Sequence, residues 1–178
     1  VLKVEEKAII PLAIFKRSTT FIYAFATFSI LIVAYVGLFF ISSGLTPDYK
    51  KNLFASEWED VYKTRGRTSP LFQQGLDAID SKEYDSAIEF LSQDVIDHKS
   101  ERSIFYSHYI LGITFLKASE KDFIGLFRSY DKDNVNLAIA NLKESVDKNN
   151  SGDYESLKLD SYYFIGRAYL LNDDKDAA

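Results

Sequence analysis

Residues 71–91 read LFQQGLDAIDSKEYDSAIEFL, and this stretch decides the fold. Its apolar residues return at the roughly 3.6-residue spacing of helices, and the same spacing holds for the rest of the chain. Arg65-Gly66-Arg67-Thr68-Ser69-Pro70 reads as a turn and a helix start just before it. Gly75 falls where one helix would press closest on another. Ala87, twelve positions on, is the small residue facing it, and Leu91 follows four later.

Working outward, the same arrangement recurs. Gly112 in HYILGITF is followed at an offset of 26 by Ala138 in NVNLAIANL, and Leu142 again stands four past the alanine. Gly166 in YYFIGRAYLLNDDKDAA returns to the offset of 12, with Ala178. Three residues after each glycine come Ala78, Phe115 and Tyr169. The middle copy therefore carries 14 extra residues. They lie between about Lys117 and Asp133, in KASEKDFIGLFRSYDKD. Phe123, Ile124, Leu126, Phe127 and Tyr130 make this insertion too apolar for an idle linker. It is expected to be either a lengthened first helix covering its own apolar face or a docking loop for a partner. No convincing strand is read anywhere.

These three glycine–alanine hairpins resemble the tetratricopeptide repeat, a helix hairpin of roughly 34 residues. The family's Trp is absent. The resemblance implies an all-α fold, a solenoid of stacked hairpins over residues 69–178, with the third repeat truncated. Because solenoids need capped ends, further chain is expected to complete the third hairpin. The resemblance also implies a concave binding groove lined by the first helices of the hairpins. In this register Phe72, Leu76, Tyr106, Tyr109, Ile113, Tyr163 and Arg167 face it, with Phe123 and Phe127 as the alternative dock in the insertion. Tyr offers a peptide or partner helix large contact area at low entropic cost. Chaperone-binding members of the family clamp a C-terminal carboxylate with Lys and Asn. The matching places here hold Phe72, Gln73, Leu76, Tyr109, Ile110 and Ile113, so that clamp is not built.

Upstream lies a different kind of sequence. Phe21 to Ile41, FIYAFATFSILIVAYVGLFFI, carries no charge, and the uncharged region extends from Ser18 to Pro47. At about 1.5 Å per residue these 21 residues just cross a hydrocarbon core of about 30 Å. A signal peptide would have a shorter apolar core and a better cleavage site than the bulky Phe39-Phe40-Ile41 end permits. A retained transmembrane helix, residues 21–43, is expected. Thr27 and Ser29 should bond back to their own helix; small residues such as Ala26, Ala34 and Gly37 could instead pack on other membrane helices. Lys3, Lys7, Lys16 and Arg17 precede the span, against Lys50 and Lys51 soon after it, which puts residues 1–20 in the cytoplasm. Residues 44–68 form a linker or juxtamembrane helix in which Trp58 and Tyr62 could share a face. The domain beyond is then extracytoplasmic, or periplasmic in a bacterial inner membrane. Beyond residue 43 lie 17 of the 21 Lys and Arg but 24 of the 26 Asp and Glu. Such an acidic domain is not drawn to anionic lipid by charge.

Composition excludes several chemistries. The 178 residues carry a net charge of −5, no Cys and two His. Disulfides, thiolate metal sites and cysteine nucleophiles are absent by composition. Zinc catalysis and nucleic-acid binding are poorly served. No phosphate loop, HExxH or GxSxG occurs. Asp131-Lys132-Asp133 and Asn172-Asp173-Asp174 lack the Gly and Glu of a calcium loop. His98 is expected in a turn, with Asp94 as an ordinary neighbour four residues before it. His108 is expected to pack on the second repeat. No enzyme activity, catalytic residue, metal or cofactor is expected. Met is absent even at position 1, so Val1 does not read as an encoded start.

The sequence therefore points to a membrane-anchored scaffold or accessory subunit of a membrane complex, with protein partners and lipid contact through residues 21–41. The alternative is an anti-sigma-like or other transmembrane regulator. It rests on the order of parts and on Lys63-Thr64-Arg65-Gly66.

Overall fold

The computed structural model describes residues 19–48, 68–150 and 154–178. The basic N-terminal stub, the Trp58–Tyr62 pair and Lys63–Gly66 lie outside the described residues. Two compact units divide the chain, Val1–Ile41 and Ser42–Ala178.

The first unit is dominated by helix α1, Thr19–Leu45, whose final turn belongs to the second. Its Phe21–Leu45 portion is, by length and composition, long and apolar enough to cross a membrane, with a mean hydropathy of 2.4 and no buried residue in its most apolar 18-residue window. Thr27 Oγ1 and Ser29 Oγ donate to the carbonyls of Tyr23 and Phe25, at 2.9 and 2.8 Å. Both hydroxyls are thus satisfied within the helix.

The second unit is mainly helical. Helices α2 (Pro70–Asp80) and α3 (Tyr84–Asp97) form one hairpin, and α4 (Ile104–Ser119) and α5 (Lys132–Lys148) another; α6 (Glu155–Leu171) follows. Each helix packs on its neighbours in sequence, and α4 also meets α6. Ser69 starts α2 by accepting a bond from the Phe72 amide at 3.2 Å, with Pro70 at the first helical position, where its missing N–H costs nothing. Asp131 starts α5 by accepting from the Asp133 and Asn134 amides.

Gly75 and Gly112 do what their spacing predicts; Gly166 does not, because Ala178 lies beyond the last helix rather than on a second one. A Cβ on Gly75 would stand 2.6 Å from Leu91 Cγ; one on Gly112 would stand 2.8 Å from Leu142 Cγ. Both hairpins therefore close through the same glycine-to-leucine contact, with Ala87 and Ala138 fully buried beside it. In the third copy a Cβ on Gly166 would meet the Ala178 carbonyl at 3.3 Å. The helix ends repeat as well. After α2, Lys82 turns left-handed (φ 61°), and the Lys82 and Glu83 amides donate to the Ile79 and Ala78 carbonyls. After α6, Asp173 does the same (φ 62°), and the Asp173 and Asp174 amides donate to the Leu170 and Tyr169 carbonyls. Both are helix stops in which a left-handed residue satisfies the last carbonyls.

The middle copy replaces that stop, and here the structure corrects the sequence reading. The insertion is neither a lengthened helix nor an open loop. It is an antiparallel hairpin of β1 (Glu120–Phe123) and β2 (Leu126–Tyr130), closed at its base by the Asp131 amide donating to the Ser119 carbonyl at 2.8 Å. The alternation of Leu126, Arg128 and Tyr130 with Phe127 and Ser129 is too short to stand out beside helical patterning. The strands also depend on pairing with each other, which periodicity does not reveal.

Candidate interaction surface

The expected groove residues divide into two groups. Phe72, Tyr109 and Ile113 are buried, with no more than 1% exposed, so they pack the core and do not line an open groove. The densest apolar stripe of α2 and α4 is the one that turns inward on α3, α5 and α6. Leu76, Tyr106 and Arg167 are half-buried, and Tyr163 is exposed.

Aromatic rings cluster around α4 and α6: Phe105, Tyr109 and Phe164 are buried, Tyr106 is half-buried, and Tyr154, Tyr162 and Tyr163 reach the surface. Phe105 lies 5.2 Å, and Tyr106 5.4 Å, from the Tyr154 ring, measured between centroids. Farther along, buried Tyr109 meets Phe164 at 6.4 Å, and Tyr163 meets Phe164 at 5.3 Å. The Arg167 guanidinium lies over the Tyr163 ring at 5.8 Å. Leu159, Tyr162 and Tyr163 share one face of α6, and each is more than half exposed. Only Tyr163 and Arg167 of this face were named from sequence; Leu159 and Tyr162 follow from helical spacing once the register of α6 is known. Beside Tyr154, a cleft of about 390 Å³ is lined by Glu101, Arg102, Ser103 and Phe105. Burial, with Asp160 nearby, pushes the Tyr109 phenol up well out of the physiological range, so it stays neutral.

The polar groups of the core form a separate knot. Asp94, fully buried on α3, accepts from Ser69 Oγ before α2 and from Ser107 Oγ of α4. His98 Nδ1 lies 3.0 Å from the same carboxylate. The Asp94–His98 pairing fits the sequence reading, but the two serines were missed. The available signal was an acid at the spacing of Ala87 and Leu91, on the buried stripe of α3. The chemistry is structural: both hydroxyls and the imidazole converge on one carboxylate. A nucleophile relay would instead need a serine bonded to the imidazole. His108, also buried, faces Asn141 Oδ1 at 3.1 Å. Among the described residues no group of three or more His, Asp or Glu is placed to hold a metal ion.

The two phenylalanines of the alternative dock lie outside the core: Phe123 is 69% exposed, with Ile124 beside it at 67%, and Phe127 is half-exposed. The two-residue turn between paired Phe123 and Leu126 holds Ile124 and Gly125 at φ 54° and 74°. Positive φ at both central residues is the type I′ requirement, normally met by Asn-Gly. An Ile there costs on the order of 1–3 kcal/mol of backbone strain. Phe127 is also left-handed (φ 52°), at the point where the strand register shifts.

No protein-family model matches this chain, and neither a curated protein nor a solved structure matches it.

Proposed function

We propose that this is a membrane-anchored helical-repeat protein that acts as a binding scaffold or accessory subunit of a membrane complex. Helix α1 is the anchor, with the N-terminus cytoplasmic and the repeat domain on the other side. The domain is read as a tetratricopeptide-like solenoid, supported by the matched glycine–leucine contacts and the matched helix stops. The observation that carries the binding role is the exposed Leu159–Tyr162–Tyr163 face of α6, with the half-buried Arg167 guanidinium lying over the Tyr163 ring. Aromatic residues held on rigid helices present contact area with little ordering cost, and such residues dominate binding hot spots. The partner this face suits is an extended peptide or an amphipathic helix of another protein.

Photo-crosslinking in intact cells tests this. A photoreactive amino acid at Tyr163 or Tyr162 should give a discrete protein adduct, and one at exposed Glu89 on α3 should not. Equal yields at all three positions, or none at the α6 face, would contradict the binding role.

A further inference from the structure

We infer that the exposed face of α6 takes an amphipathic helix of another protein, lying antiparallel to α6 with a leucine over Gly166 and a second apolar residue one turn on. The inference rests on the binding role proposed above for that face and narrows its partner to a helix of stated pattern.

The domain itself shows what such a face holds. In the first two copies the residues four and three places before the glycine are covered: Phe72, His108 and Tyr109 are buried and Leu71 is half-buried. In each copy the second helix of the hairpin packs on this side of the first, through Leu91 over Gly75 and through Leu142 over Gly112. His108 Nδ1 also meets Asn141 of α5, at 3.1 Å. Both second helices carry the same stripe. It reads Ala87-Ile88, Leu91, Val95 on α3 and Ala138-Ile139, Leu142, Val146 on α5. The alanines and leucines of the stripe are fully buried, and the two valines are partly buried against the core.

In the third copy the places before the glycine hold Tyr162 and Tyr163, both exposed, with exposed Leu159 one turn earlier. Its glycine is met at one point. The Ala178 carbonyl stands 3.3 Å from a Cβ built on Gly166, as the Ala138 carbonyl stands 3.2 Å from one on Gly112. The leucine that Gly112 also meets, at 2.8 Å, has no counterpart: no other atom of the described residues outside α6 lies within 4 Å of that Cβ position. The alanine's contact is made, and the leucine's place is open. Glycine inside a helix is unfavourable relative to alanine. In α2 and α4 the close leucine accounts for it, and in α6 a leucine brought from outside would.

Spacing selects a helix over an extended peptide. Side chains four apart are separated by about 6 Å along a helix and by about 13 Å along a strand. Only the helix sets one apolar side chain over Gly166 and the next over Tyr162, one turn of α6 away. A second copy does not supply it, because α3 and α5, which carry the stripe, are engaged in their own hairpins.

The probe is the peptide of residues Lys132–Lys148, capped at both ends and dye-labelled. It is titrated against the full chain in mild detergent and followed by fluorescence anisotropy. Saturable binding is expected. Gly166→Leu, which fills the leucine's place, should weaken it by about tenfold or more. Leu159→Asp, at an exposed position, should do the same and serves if the first variant misfolds. Peptides carrying Leu142→Asp or Ala140→Pro should bind as poorly. Full binding by the proline peptide would mean that the face takes an extended chain; it overturns the inference and leaves the binding role standing. Binding indifferent to both Gly166→Leu and Leu159→Asp places the peptide elsewhere and also overturns it. So does dimerisation of the chain that Leu159→Asp abolishes in sedimentation, since a second copy then covers the face. Absence of peptide binding overturns the inference alone if Tyr163 still gives its discrete adduct in the crosslinking experiment, and overturns the binding role with it if Tyr163 does not.

Discussion

The two units of the chain handle apolar surface in opposite ways. In α1 apolar residues cover every side of the helix; Phe25, Ile30 and Val33 are each about two-thirds exposed or more, and no residue of its most apolar 18-residue window is buried. In the helical domain each helix turns an apolar stripe inward: Phe72, Leu91, Leu116 and Leu142 are fully buried. The domain finds its apolar environment in itself. Helix α1 does not: it is apolar all round, and long and apolar enough to cross a membrane. The difference shows which residues a change will punish: shape in the domain, charge in the span.

The largest effect is expected in the domain. Leu142→Ala empties the space over Gly112 and should destabilise it by about 2–5 kcal/mol in chemical denaturation followed by circular dichroism. The same change at an exposed leucine of α1, Leu31→Ala, should leave that transition alone. Next comes the span, where Val33→Arg puts a charge at the middle of α1. It should weaken membrane insertion by about 2.5–3.5 kcal/mol, read as the inserted fraction, while the domain's unfolding stays put. Then come the glycines. Gly75→Ala and Gly112→Ala gain roughly 0.5–1 kcal/mol of helix preference, but each forces its leucine aside, for a net loss of about 1–3 kcal/mol. Gly166→Ala, with only a 3.3 Å contact, should be nearly neutral. Equal losses at all three would show that the third copy closes as tightly as the first two.

The smallest effect is in pH dependence. Burial holds the His108 pKa below its usual 6.5, and the Asn141 contact opposes this only in part. The unfolded chain therefore takes up the proton first. The stability that the neutral ring contributes is present above about pH 6.5 and is lost as pH falls toward the folded value. His108→Gln should flatten that part of the stability–pH curve relative to the parent.

Much of this was legible in the sequence because it depends on spacing. Gly75 and Gly112 could be placed against their partner helices because a close helix contact tolerates only hydrogen at that position. The long apolar helix α1 was legible because its run from Phe21 to Ile41 carries no charge. The groove was less so: Phe72, Tyr109 and Ile113 share the periodicity of any core residue, and only the packed domain decides which stripe turns inward. The hairpin escaped notice because a five-residue strand leaves a weak pattern. The Asp94 knot draws in serines 25 positions before and 13 positions after the acid, which no local spacing reports.

The central claim, a helical domain held across a membrane from a cytoplasmic stub by α1, is tested most directly by topology. The chain has no cysteine, so a single introduced one reports cleanly. On intact spheroplasts a membrane-impermeant thiol reagent should label Ser100→Cys, on the exposed turn after α3, and should reach Lys3→Cys only after lysis. Labelling of Lys3→Cys before lysis with Ser100→Cys protected would reverse the orientation, and labelling of neither before lysis would contradict a domain outside the cytoplasm.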